Sequence, residues 1–140
     1  MVKPGWTFQE YINQDGEAPF SAWLSEQEEN AQAAIDQRIL LMMALARQQW
    51  SAKWIKPYVG HEKLFELRIT CNKIQYRPLG CYGPGNQEFT IVAGAIEKNW
   101  KIPKSTIKVA MSRIGLVITD RRWVREYQFN PTEPLEETSG

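Results

Sequence analysis

The sequence predicts an α+β fold, a mostly antiparallel sheet with helices packed on one face. Three observations predict it. Apolar residues alternate in one early run and in three consecutive later ones, each bounded by turn residues. Other stretches repeat apolar residues every three or four positions, as one face of a helix does. The runs come in the order strand, helix, helix, three-strand meander, helix, which groups the strands instead of interleaving them singly with helices.

Trp6 to Asn13 is rich in β-formers and reads as the first strand, turned by Asp15-Gly16. Pro19 to Leu24 follows as a short helix. A longer one begins near Ser25, with Glu26, Glu28 and Glu29 close to its positive end. Ala31, Ile35, Ile39, Met42, Met43 and Ala46 form its apolar stripe, which reads as core. Gln49 to Lys63 shows no period, contains Pro57 and Gly60, and is expected to be a surface loop. Leu64–Cys71 and Ile74–Cys81 read as strands around Asn72-Lys73. The Gly83-Pro84-Gly85-Asn86 turn leads to a third strand from Glu88 to Lys98. After Pro103 a helix is expected, because Ile107, Ala110, Met111 and Ile114 fall at i, i+3, i+4 and i+7. Its other face carries Lys104, Lys108 and Arg113. Trp123 to Phe129 alternates as a late strand.

The chain has 140 residues, room for one well-cored domain. Residues 1–129 are expected to form it. The Pro-, Glu- and Ser/Thr-rich segment 130–140 is expected to be a disordered acidic tail. No apolar run is long enough for a membrane helix and no signal-peptide pattern opens the chain, so a cytoplasmic protein is expected. Cys71, Cys81 and His61 have neither the number nor the spacing for a zinc site or a disulfide framework, and no metal or cofactor is expected. One histidine in a loop also leaves no Ser–His–Asp set to assemble.

The net charge of +1 conceals a segmented distribution. Residues 1–52 carry −4, residues 53–125 carry +9, and the remainder carries −4. A basic centre of this kind is the footprint of a polyanion-binding surface.

A two-residue turn at Asn72-Lys73 would oppose residues whose numbers sum to 145. Glu66 would then face Leu79, and Arg68 would face Arg77 on the polar, solvent-directed side. Phe65, Leu67, Ile69, Ile74 and Tyr76 would share the side packed on helices. Two guanidinium groups directly opposite each other require an anion between them, and Glu66 is at hand to supply one.

The segments L-F-E-L-R-I (64–69), Y-R-P-L (76–79), G-P-G (83–85), F-T-I-V-A-G-A-I-E-K (89–98) and K-I-P-K (101–104) stand in a characteristic order. With P-F-S-A-W-L (19–24), they resemble the phage-derived, HigB-like branch of the RelE/ParE toxin superfamily. The similarity covers about residues 7–118. It implies a RelE-like fold and the toxin of a type II toxin–antitoxin pair, a ribosome-dependent, metal-independent messenger-RNA endoribonuclease. Its implied partners are the ribosome, messenger RNA and a cognate antitoxin, a helix-turn-helix protein, with no membrane and no small-molecule cofactor. In such toxins the 2′-hydroxyl attacks the adjacent phosphate. On this pattern Arg77 matches the phosphate-stabilising arginine, Arg68 its neighbour on the preceding strand, and Lys98 a basic catalytic position. Lys101, Lys104, Lys108 and Arg113 are the expected phosphate contacts.

The chain departs from the pattern at Ala93, where relatives carry a histidine. It also has Leu64 and Glu66 where other branches have lysines, and no tyrosine in the helix after Lys101. A catalytically silent RNA- or protein-binding module of phage or plasmid origin, and a ParE-like gyrase inhibitor, are the alternatives.

Overall fold

The computed structural model describes residues 5–129. Its strands are β1 (Thr7–Tyr11), β2 (Ile55–Pro57), β3 (Phe65–Leu67), β4 (Ile69–Cys71), β5 (Ile74–Tyr82), β6 (Glu88–Glu97) and β7 (Val124–Glu126). Its helices are α1 (Pro19–Ser25), α2 (Glu29–Ala44) and α3 (Lys104–Val117), and Gly115 lies inside α3. All the strands join one sheet in the order β2-β3-β5-β6-β1-β7, with β4 also on β5. Every pairing is antiparallel except that of β1 with β6. The class is therefore α+β with a mostly antiparallel sheet.

The register of the first hairpin follows from its turn. Asn72 and Lys73 both take positive φ, of 50° and 68°, which a tight two-residue turn requires. Pairs Cys71–Ile74, Ile69–Tyr76, Glu66–Leu79 and Phe65–Gly80 all sum to 145. The strand expected from Leu64 to Cys71 is nevertheless interrupted at Arg68, whose N–H donates instead to the Trp54 carbonyl at 2.8 Å. Arg77 lies across from this break, and its neighbour Pro78 has no N–H to offer a ladder. The expected loop over 49–63 contains an unforeseen strand, β2, which pairs with β3.

Two apolar clusters hold the fold. Phe20 and Leu24 of α1 and Ile35, Ile39 and Met42 of α2 pack with Phe8, Leu67, Ile69, Tyr76, Phe89 and Ile91. Ile107, Ala110, Ile114 and Val117 of α3 pack with Leu64, Leu79, Cys81, Val92 and Ala95. The spacing of α3's buried residues is the one its sequence predicts. Burial pushes the Cys81 thiol up to about 12, so it stays protonated and acts as a small apolar side chain.

A bulge shapes the functional end of the sheet. Leu79 pairs with Ala93 and Gly80 with Ile91, which leaves Val92 unopposed. The pairing of β1 with β6 stops at the same place, since Glu10 pairs with Ile91 and Tyr11 pairs with β7 alone. Beyond it, Val92–Glu97 is a free edge, bordered by α1 and α3.

Candidate nucleic-acid interface

The two arginines of the hairpin are bound into a carboxylate network. Arg77 Nε lies 2.8 Å from Glu97 Oε1 and 3.3 Å from Glu66 Oε1. Its Nη1 donates to the Tyr76 carbonyl at 3.0 Å and its Nη2 to Gln75 Oε1 at 3.2 Å. Arg68 Nη1 is 3.5 Å from the same Glu66 oxygen. Glu66 thus sits between the two arginines, as the opposed positive charges required. The exposure of Arg77 does not match the expectation from alternation: the residue is only 2% exposed. Alternation gives the side of the sheet. It cannot show that Glu97, from β6, would add a second carboxylate and help to bury the guanidinium. Burial holds the Glu66 carboxyl above the usual carboxylate range, an effect the two arginines oppose.

Lys98 lies immediately after Glu97, at the end of the free edge. Its N–H and that of Lys101 each donate to the other's carbonyl at 2.9 Å, closing a two-residue turn. Asn99 and Trp100 form the tip at φ 51° and 63°. Since Gln75 pairs with Glu97, the Asn72-Lys73 turn comes at this same end of the sheet.

A groove of about 630 Å³ opens along the free edge. Trp23, the strand residues Gly94–Ile96, Lys98, Lys101, Lys104 and Thr106 line it. The indole of Trp23 lies directly on β6 because residue 94 is glycine; a Cβ there would overlap the ring. A second groove, of about 620 Å³, runs between α3 and the 58–63 loop. It is lined by Tyr58, Val59, His61, Lys104, Lys108 and Met111. Lys104 is in the lining of both, so the two grooves flank the start of α3 and together make a lysine-rimmed track.

The electrostatics of the track are positive. Lys98, Lys101, Lys104 and Lys108 are exposed. The first turn of α3 holds no acidic side chain and no side-chain cap, so its N-terminal dipole adds to the lysines. Such an arrangement can hold successive phosphates while apolar walls take bases or riboses.

Of the expected phosphate contacts, Lys101, Lys104 and Lys108 line this track, and Lys98 joins them. Arg113 is directed elsewhere. It donates to the Val92 carbonyl at 2.8 Å and lies over the Tyr11 ring, so it pins α3 to the bulge. Arg68 and Arg77 belong to the network beneath the lysine turn. Trp23, Trp100 and Tyr58 are not among the site residues expected from the sequence, and His61 is weighed there only as a metal ligand or catalytic histidine and set aside. Trp100 carried a readable signal: a tryptophan between two lysines in a run that fits neither helical nor strand periodicity.

No protein-family model matches the chain, and no curated protein matches it. No helix of the described residues is long and apolar enough to cross a membrane.

Proposed function

We propose that this protein is an RNA-binding module of the RelE/HigB toxin type, which grips single-stranded RNA along the track from Trp23 to the 58–63 loop. The observation that carries this reading is the run of exposed lysines, Lys98, Lys101, Lys104 and Lys108, along two neighbouring grooves that share Lys104. Phosphate contacts from such lysines give affinity without sequence choice.

Binding without cleavage is favoured by the state of Arg77. Its guanidinium is buried against Glu66 and Glu97, so its charge is already compensated before any phosphate arrives. The cleaving toxin is the second reading, supported by Glu66. A carboxyl held above its ordinary range beside Arg68 and Arg77 is a group that could accept the 2′-hydroxyl proton while guanidinium groups stabilise the phosphorane charge. A cognate antitoxin belongs to either form of the reading.

The test measures affinity for an unstructured RNA oligonucleotide across a salt series, in the parent and in K98A/K101A/K104A. Parent binding should weaken as salt rises. The triple variant should bind less tightly, with its log–log salt slope reduced by about 2. Equal slopes would reject the track. Incubation with programmed ribosomes then separates the two forms, since only a nuclease releases messenger fragments.

A further inference from the structure

We propose that Trp100 is a nucleobase-stacking platform, held out from the β6–α3 turn so that a base of single-stranded RNA lies on its ring between Lys98 and Lys101. The inference rests on the RNA-binding reading above and assigns the contact that grips a base rather than phosphates.

Trp100 is 91% exposed, whereas the other five tryptophans, Trp6, Trp23, Trp50, Trp54 and Trp123, are buried or half-buried. The fold therefore gains no packing from this ring. The backbone gains nothing from it either. Its φ of 63° lies in the left-handed region, where a Cβ crowds the following carbonyl and glycine is the ordinary occupant of a two-residue turn. Asn99 suits its own left-handed position, so the departure is confined to the tryptophan. A large ring kept in strained backbone on a tight turn, with no ring partner among the described residues, is the pattern of a residue retained for a ligand.

The surroundings select the ligand. Lys98 and Lys101 are hydrogen-bonded to each other through their backbones, and this anchors two lysines at the base of the turn that carries the ring. The preceding Glu97 is held by Arg77, so its charge is compensated. A docking site for an apolar protein surface would surround the ring with apolar neighbours. Asn99 and two lysines instead offer hydrogen bonds and charge to a phosphodiester on either side of a stacked base. Every base has a π-face, so the contact strengthens binding with little sequence preference.

The experiment uses the full chain and a fluorescein-labelled, unstructured RNA of mixed sequence, with Kd read by anisotropy at several salt concentrations. W100A and W100L should each bind about 5–150-fold more weakly, the range that loss of one base–aromatic stack represents. W100F should stay closer to the parent. The salt slope should be the same in all of them, because the ring carries no charge. W100G should lose affinity as W100A does, yet melt at a higher temperature than the parent, because the strain is relieved.

W100L binding as tightly as the parent would overturn the proposal, because an aliphatic side chain offers no π-face to a base. A W100A variant with parental affinity would also overturn it while leaving the lysine track standing. A shallower salt slope in W100A would attribute the loss to displaced lysines and overturn it too. Failure of the parent to bind RNA would remove both readings together.

Discussion

Arg77 is surrounded by Glu66, Glu97, Gln75 and the Tyr76 carbonyl, and its burial decides what its loss would do. Removing the guanidinium leaves two nearly buried carboxylates facing each other without a cation. Breaking such a pair costs about 3–5 kcal/mol, so R77A should unfold at clearly lower denaturant, a loss that chemical denaturation would detect. An R77A protein of parental stability would mean that the guanidinium is solvated and free to meet a phosphate. Glu66 gives a pH signature. Burial raises its folded carboxyl above the unfolded value, so its stabilising contribution is complete below about pH 4.5 and is lost as pH rises through the folded value. Measured against E66Q, which cannot ionise, the parent should lose ground between acid and neutral pH. If the parent gained ground, the two arginines would outweigh burial. The carboxylate between Arg68 and Arg77 was legible in the sequence, because the two-residue turn brings both arginines and Glu66 together. The burial was not, because the register that brings Glu97 of β6 to Arg77 is set by the bulge at Leu79–Gly80, which no local pattern encodes.

At the scale of elements, the free edge of β6 is shaped by what packs beside it. Trp23 of α1 can lie against the strand only because position 94 lacks a Cβ. G94A should therefore cost about 1–3 kcal/mol by overpacking. In a W23A background the same change should cost little, because the clashing ring is gone. A thermodynamic cycle on the two positions checks this, and additive costs would mean that the ring and the strand are independent. The long periodic elements were legible: α2, α3 and the β5–β6 pair lie where their apolar spacing puts them. Strand β2 was not, since three residues that include Lys56 and Pro57 carry no period. The parallel β1–β6 pairing joins residues about eighty positions apart, and nothing local specifies it. Arg113 shows a related limit of reading by helix face. It lies off the buried stripe, but its long side chain reaches back to the Val92 carbonyl.

For the whole molecule, the question is whether RNA would feel the net field or the local track. The chain's formal charge is only +1, so general attraction is weak and binding must come from where the positive charge is concentrated. Lys104 and Lys53 provide a matched pair for deciding this. Both are exposed, and reversing either changes the net charge by the same amount, from +1 to −1. Lys104 borders both grooves, whereas Lys53 lies just before β2, the outer strand separated from β6 by β3 and β5. A strand spacing of about 4.8 Å puts β2 beyond a Debye length from the β6 groove at physiological salt, and Lys53 is in the lining of neither groove. K104E should then weaken RNA binding strongly, because it removes a phosphate contact and adds a repulsive charge to both grooves. K53E should leave the affinity close to parental at physiological salt and lower it only modestly in dilute buffer. Anisotropy titrations of the two variants at both ionic strengths separate the cases. Equal losses from K104E and K53E would assign binding to the overall field and remove the track as a site.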